Sequence, residues 1–137
     1  MVFPVHGKFS ANYEDCILSI KAIGPVNAEF FSRYEDIVAP LRKEIIAPRW
    51  GSFVEITGQA ILPFNSNERA KLSIENAMKD ALIATCLCLV NSESPNVSKA
   101  FWEKLYNEVG IPFQFFDNEQ DAVNWLKVMI KDDSSAL

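Results

Sequence analysis

Little in this sequence is set aside for chemistry. Its five glycines stand singly, and none builds the clustered loop in which backbone amides cradle a phosphate. The single histidine, His6, has no nucleophile or orienting group placed around it, so no acid–base or triad signature is present. Three cysteines, Cys16, Cys86 and Cys88, are an odd number at spacings that match neither a disulfide framework nor a zinc site. Basic residues are few and dispersed: 13 Lys+Arg against 18 Asp+Glu give a net charge of −5. That field repels phosphate backbones and argues against nucleic acid as a partner. No apolar run reaches the length of a membrane span. The opening residues 1–7 lack the basic and apolar regions of a secretion signal, and unpaired thiols suit a reducing compartment, so a cytoplasmic location is expected. These absences leave a non-enzymatic protein with no cofactor and no metal as the expectation.

What is present is material for a core. Hydrophobic residues make up 49% and charged residues 23% of 137, the balance of one globular domain spanning residues 1–137. No internal repeat or linker divides it.

The hydrophobic period alternates between two and about 3.6 along the chain. Lys8–Tyr13 and Cys16–Ala22 read as paired strands, with Glu14-Asp15 as the hairpin turn and Gly24-Pro25 as the stop. Asn27 is placed to cap a helix that carries Phe30, Tyr34, Ile37, Val38, Leu41 and Ile45 on one face. Pro40 lies within it and predicts a kink or restart. Trp50–Gly58 reads as a third strand. A second helix follows from Asn65 or Ser66 to Ala81, buried along Ala70, Ile74, Ala77, Met78 and Ala81.

Ile83–Val90 is almost continuously apolar, which fits a strand covered on both faces. A third helix, capped by Ser94 or Asn96, turns Val97, Phe101, Leu105 and Val109 inward and stops at Gly110. Pro112–Phe116 is a short last strand. Asp117 and Gln120 have capping-box spacing ahead of a helix with Ala122, Val123, Leu126, Met129 and Ile130 on one face. Residues 131–137 are polar and read as a frayed tail. The order β-β-α-β-α-β-α-β-α predicts an α/β fold with a mixed, mostly parallel five-stranded sheet and four helices.

Three stretches carry a family resemblance. Val38-Ala39-Pro40-Leu41 is followed by Arg49-Trp50-Gly51 and the strand Phe53–Gly58. Ser98–Leu105 forms the third helix, and Phe115–Leu126 joins a strand, an acidic turn and a helix bearing Trp125-Leu126. With the element order, these resemble the SpoIIAA-like family, relatives of the STAS domains of anti-sigma factor antagonists. The resemblance implies a small α/β sandwich, pairing as a homodimer, kinship with lipid-carrier folds and the holding of non-polar molecules near membranes. Regulatory STAS proteins carry a phosphorylated serine in an Asp-Ser-Ser-Gly-like turn. Here residues 57–67 hold no Asp-Ser pair and form a longer, more apolar loop.

The candidate sites each have a plainer alternative. Glu55 stands at the carboxyl end of the third strand, where open α/β sheets hold ligands, or it is a rim residue bonding a loop. Ile61-Leu62-Pro63-Phe64 is either a lid over an apolar pocket, a surface for a membrane or partner, or a loop folded onto the core. Trp102 and Trp125 line a pocket, flank a dimer contact, or simply pack. Cys86 and Cys88 share one strand face, where buried thiols act as small hydrophobes. Ser66 is a phospho-acceptor at a helix start or an ordinary cap.

Together these readings give a protein that holds a small apolar or lipid-like ligand through Glu55, Ile61, Leu62, Phe64 and Trp102, or docks peripherally to a membrane or a protein partner. The alternative is a partner-switching regulator of STAS type, phosphorylated near Ser66.

Overall fold

The structure is a computed structural model that describes residues 8–26, 28–45, 48–62 and 66–135. His6, Asn27, Phe64 and Asn65, singled out above, lie outside these ranges. Nine elements follow in the expected order: β1 (Lys8–Glu14), β2 (Ile17–Ile23), α1 (Ala28–Glu44), β3 (Trp50–Thr57), α2 (Asn67–Lys79), β4 (Leu82–Val90), α3 (Pro95–Val109), β5 (Phe113–Phe116) and α4 (Glu119–Ser135). The strands form one sheet in the order β1-β2-β3-β4-β5. β1 pairs antiparallel with β2, and every later pair is parallel. The fold is therefore the mixed, mostly parallel α/β sheet with four helices that the hydrophobic pattern predicts.

Alternation along the strands divides the core into two layers. Leu18, Ile20, Ala22, Ile56 and Leu87 face α1, α2 and α3, packing with Phe30, Val38, Ala70, Ala77, Trp102 and Leu105. Ile17, Phe53, Ala84, Cys86 and Cys88 face the other way, onto Ala122 and Leu126 of α4. β4 is buried on both sides for this reason, which is why its sequence is nearly unbroken in hydrophobicity.

Several local details differ from the sequence reading. The hairpin turn is Asp15-Cys16, not Glu14-Asp15: both residues have positive φ (53° and 65°), as a two-residue turn matching the twist of its strands requires. Helix α1 continues through Pro40 to Glu44 instead of restarting. Pro40 and Asp36, whose carbonyl loses its partner, both lie on the exposed face, where water can serve that carbonyl.

The inner stripe of α3 is rotated from the expected one. Ser98, Trp102, Leu105 and Tyr106 are buried, whereas Val97 is 58% exposed. The cap of α4 is Asn118, not Asp117. Its Oδ1 accepts a 2.9 Å bond from the Asp121 amide, and its Nδ2 donates to the Asp121 carboxylate at 3.0 Å. The helix then runs on to Ser135, through residues whose polarity suggests an end nearer Ile130.

Gly110 closes α3 as predicted, in the left-handed conformation (φ 80°), with its amide bonded to the Tyr106 carbonyl at 2.9 Å.

Candidate functional site

Between the sheet and α1–α2 the packing leaves a gap. It is a cavity of about 80 Å³, floored by β2 and β3 through residues such as Leu18, Ile20 and Ile56. Its roof comes from Phe30, Phe31 and Tyr34 of α1 and from Ala70, Ser73 and Ala77 of α2. Trp102 and Tyr106 of α3 close one side. The gap has a cause in residue size. The inner face of α2 is small at Ala70, Ser73 and Ala77, while the opposing surfaces are rigid aromatic and β-branched groups that cannot collapse into it.

The lining is apolar with a short polar seam. Thr85 Oγ1 donates to Ser52 O at 3.3 Å and lies 3.3 Å from Ser52 Oγ. Ser73 Oγ donates to Glu35 Oε1 at 2.5 Å. Arg42, in the last turn of α1, also lines the cavity and exposes only 8% of its side chain. Its Nη2 donates to Glu35 Oε2 at 3.3 Å, and its Nε stands 3.8 Å from Asp80 Oδ2. Burial pushes the phenols of Tyr34 and Tyr106 well above the usual tyrosine range. Both are neutral at any physiological pH and act as apolar walls with a polar tip.

The sequence-predicted ligand residues are dispersed over this structure. Trp102 lines the cavity, and its indole Nε1 donates to Ala60 O at 2.8 Å. Leu62 is buried in the same core at 4% exposure, so this part of the apolar loop folds inward. Ile61 is half-buried and lines a second depression at the carboxyl ends of β3 and β4, with Gly58, Asn91 and Ser98.

Glu55 is on the opposite face of the sheet. In the strand register it sits between Lys21 and Cys88. Its carboxylate, with those of Asp117 and Glu119, adds to burial in raising the Cys88 thiol, burial being the larger cause. Lys21 is tied to Glu119 at 2.8 Å, and that bond is the main reason its ammonium is held above the usual lysine range. Glu55 and the cavity are thus separated by the sheet itself.

Ser66 precedes α2 and is fully buried, with no capping bond from its side chain. Cys86 and Cys88 are both buried under α4, and burial pushes the Cys86 thiol up to about 12. Among the described residues, no group of three or more His, Cys, Asp or Glu side chains is arranged to hold a metal ion. No helix among them is long and apolar enough to cross a membrane.

Arg42 is the site residue that the sequence reading passed over. A signal for it exists: Arg42 lies four residues after Val38, which is completely buried, and so shares that helix face.

The architecture has a solved counterpart. A crystal structure of an uncharacterized protein of the DUF3478 family from Shewanella loihica PV-4, described as having a SpoIIAA-like fold, superposes with a TM-score of 0.64. The match covers 92% of this chain and 98% of that one at 16% identity. The chain has the SpoIIAA-like fold. No protein-family model matches the sequence, and no curated protein does. At this level of identity the likeness concerns the fold alone, and the SpoIIAA-like sheet supplies the frame on which the cavity is built.

Proposed function

We propose that this chain is a non-enzymatic binding protein that holds a small apolar ligand between its sheet and helices α1 and α2. The cavity carries this reading. It lies within one side of the core, is lined mainly by apolar side chains, and is bounded by aromatic residues that offer contact area at little entropic cost.

Size limits the guest. An engineered apolar cavity of roughly 150 Å³ takes benzene, and drug-sized ligands occupy roughly 300 Å³ or more. A space of about 80 Å³ suits a short alkyl group as it stands and takes a ring of benzene's size only where its walls give. A longer, lipid-like chain needs α1 and α2 to move away from the sheet.

The surface gives less support to docking on a membrane or a protein partner. Among the described residues the large exposed hydrophobics, Ile23, Leu72, Val97 and Val128, belong to four different elements, β2, α2, α3 and α4. Ser66, being fully buried, does not favour the phospho-regulator reading either, since a kinase needs its acceptor exposed.

Two measurements test the proposal together. Organic extraction of the purified protein followed by mass spectrometry is expected to release a small non-polar compound. Titration of methyl-labelled protein with cyclopentane is expected to shift the methyl resonances of Ile20, Ile56, Ile74 and Ala77. Absence of both an extracted compound and methyl shifts at saturating cyclopentane refutes the reading.

A further inference from the structure

Among the described residues, the wall of the cavity is thinnest between α1 and α2. Ser73 of α2 and Arg42 of α1 both line the cavity, and each meets a carboxylate across the seam. Ser73 Oγ donates to Glu35 Oε1 at 2.5 Å, and Arg42 Nε stands 3.8 Å from Oδ2 of Asp80, which ends α2. The side chains of Glu35 and Asp80 are 33% and 58% exposed. One layer of polar side chains thus separates cavity from solvent. The other walls are deeper. The sheet is backed at Ile17 and Phe53 by α4, and Trp102 and Tyr106 on the α3 side are buried, with Trp102 pinned to the Ala60 carbonyl.

Little packing interlocks the two helices over the cavity. There α2 presents Ala70, Ser73 and Ala77, side chains too short to insert between those of α1. The polar ties close the seam instead, and they are readily undone. Glu35 and Asp80 already reach water, which replaces a lost partner as the seam widens.

Resting on the cavity reading above, we infer that the seam between α1 and α2 is the gate through which the guest enters and leaves, with Glu35 as its latch. One oxygen of Glu35 holds Ser73 across the seam, and the other takes a 3.3 Å bond from Arg42 Nη2, which orients the carboxylate. Asp80 lies beyond hydrogen-bonding reach of Arg42 Nε, so the tie at the end of the seam is the looser one. An apolar guest takes no part in these bonds, which close alike over an empty and a filled cavity. The latch therefore sets how fast the guest exchanges, not how tightly it is held.

The experiment measures cyclopentane exchange from methyl NMR line shapes at Ile56 and Ala77 in the intact protein and in Ser73→Ala, Glu35→Gln and Lys71→Ala. Lys71 ties α2 to Glu108 of α3, so its loss loosens α2 without touching the seam. Ser73→Ala is expected to raise the association and dissociation rates together by about tenfold, as loss of one hydrogen bond to a charged group provides, with Kd within about twofold of the parent. Glu35→Gln keeps the shape and weakens both bonds. It shifts both rates the same way, and reads the latch even if Ser73→Ala fails to fold. Lys71→Ala exchanges at the parental rate.

Parental rates in both seam variants, or equal acceleration in Lys71→Ala, overturn the gate and leave the cavity standing as the site. A change in Kd carried by the dissociation rate alone makes Ser73 a lining contact and overturns it as well. If cyclopentane shifts no cavity methyl in the parent, the proposed function fails and the gate falls with it.

Discussion

Trp102 reaches from α3 to the loop after β3 and holds it: its indole Nε1 donates a 2.8 Å hydrogen bond to the carbonyl of Ala60. Both residues are buried, at 6% and 1% exposure, so neither group has water to turn to. The bond explains why a loop as apolar as Ile61-Leu62 folds onto the core at Leu62. Replacement Trp102→Phe keeps an aromatic ring but leaves the Ala60 carbonyl unpaired, a loss of about 1–3 kcal/mol. Urea denaturation gives the magnitude. Faster amide exchange at Ala60–Leu62 than in the parent locates the effect, and unchanged exchange there counts against the anchoring role.

Leu126 and Gly51 fix how closely α4 approaches the sheet. A Cβ added at Gly51 would lie 2.9 Å from Leu126 Cδ2 and 3.5 Å from its Cβ, and Leu126 is wholly buried. Gly51→Ala is therefore expected to destabilise by about 1–3 kcal/mol, as overpacked cores do. Combining it with Leu126→Ala removes the clash, so the double variant should lose less than the sum of the single losses. A thermodynamic cycle measures this directly, and strict additivity would show that α4 relaxes away from Gly51.

Alkaline pH should weaken the fold through Cys86. Burial raises this thiol from 9.0 to about 12 in the folded chain. Below the unfolded value both states hold the proton, and the group exerts no pH dependence. Between 9.0 and about 12 the unfolded chain releases the proton and the folded chain retains it, so stability falls as pH rises through this window. Tyr34 and Tyr106, also raised by burial, act in the same direction once the pH passes their ordinary value. Unfolding free energies measured across this range for the parent and Cys86→Ala are expected to diverge in slope only above the ordinary thiol value. Parallel slopes would place the thiol in a solvated site.

The elements were legible because each has one dominant period. β4 is covered on both faces and shows it as an apolar run, and the α4 stripe from Ala122 to Ile130 is regular. The phase of α3 was harder to read. Val97 fits a helical repeat as well as Ser98 does, and only the fold shows Ser98 buried, with its hydroxyl 3.4 Å from that of Ser92. The cavity left no linear trace, since Ala70, Ser73 and Ala77 look like ordinary core positions until the groups opposite them are known. Glu55 lies in the third strand, as its apolar neighbours indicate. Which face it takes depends on register across three strands, which a single sequence does not display.

Ala77 offers the sharpest test of whether the cavity is the site. It sits on the inner face of α2, is 6% exposed, and contributes a single methyl group to the lining. Ala77→Leu adds an isopropyl group directed into existing space, so it competes with any guest without removing a contact from the ligand-free protein. Filling a void of this kind commonly stabilises by about 0.5–2 kcal/mol, whereas the same change in a fully packed core costs about 1–3 kcal/mol. The variant is therefore expected to melt at or above the temperature of the parent and to lose the methyl response to cyclopentane. Val97→Leu, on the exposed side of α3, serves as the control and should bind as the parent does. A stable Ala77→Leu protein that still binds cyclopentane with parental affinity would put the ligand elsewhere. A strongly destabilised one would mean that the space beneath α2 is already filled on the time average, with no room for a guest.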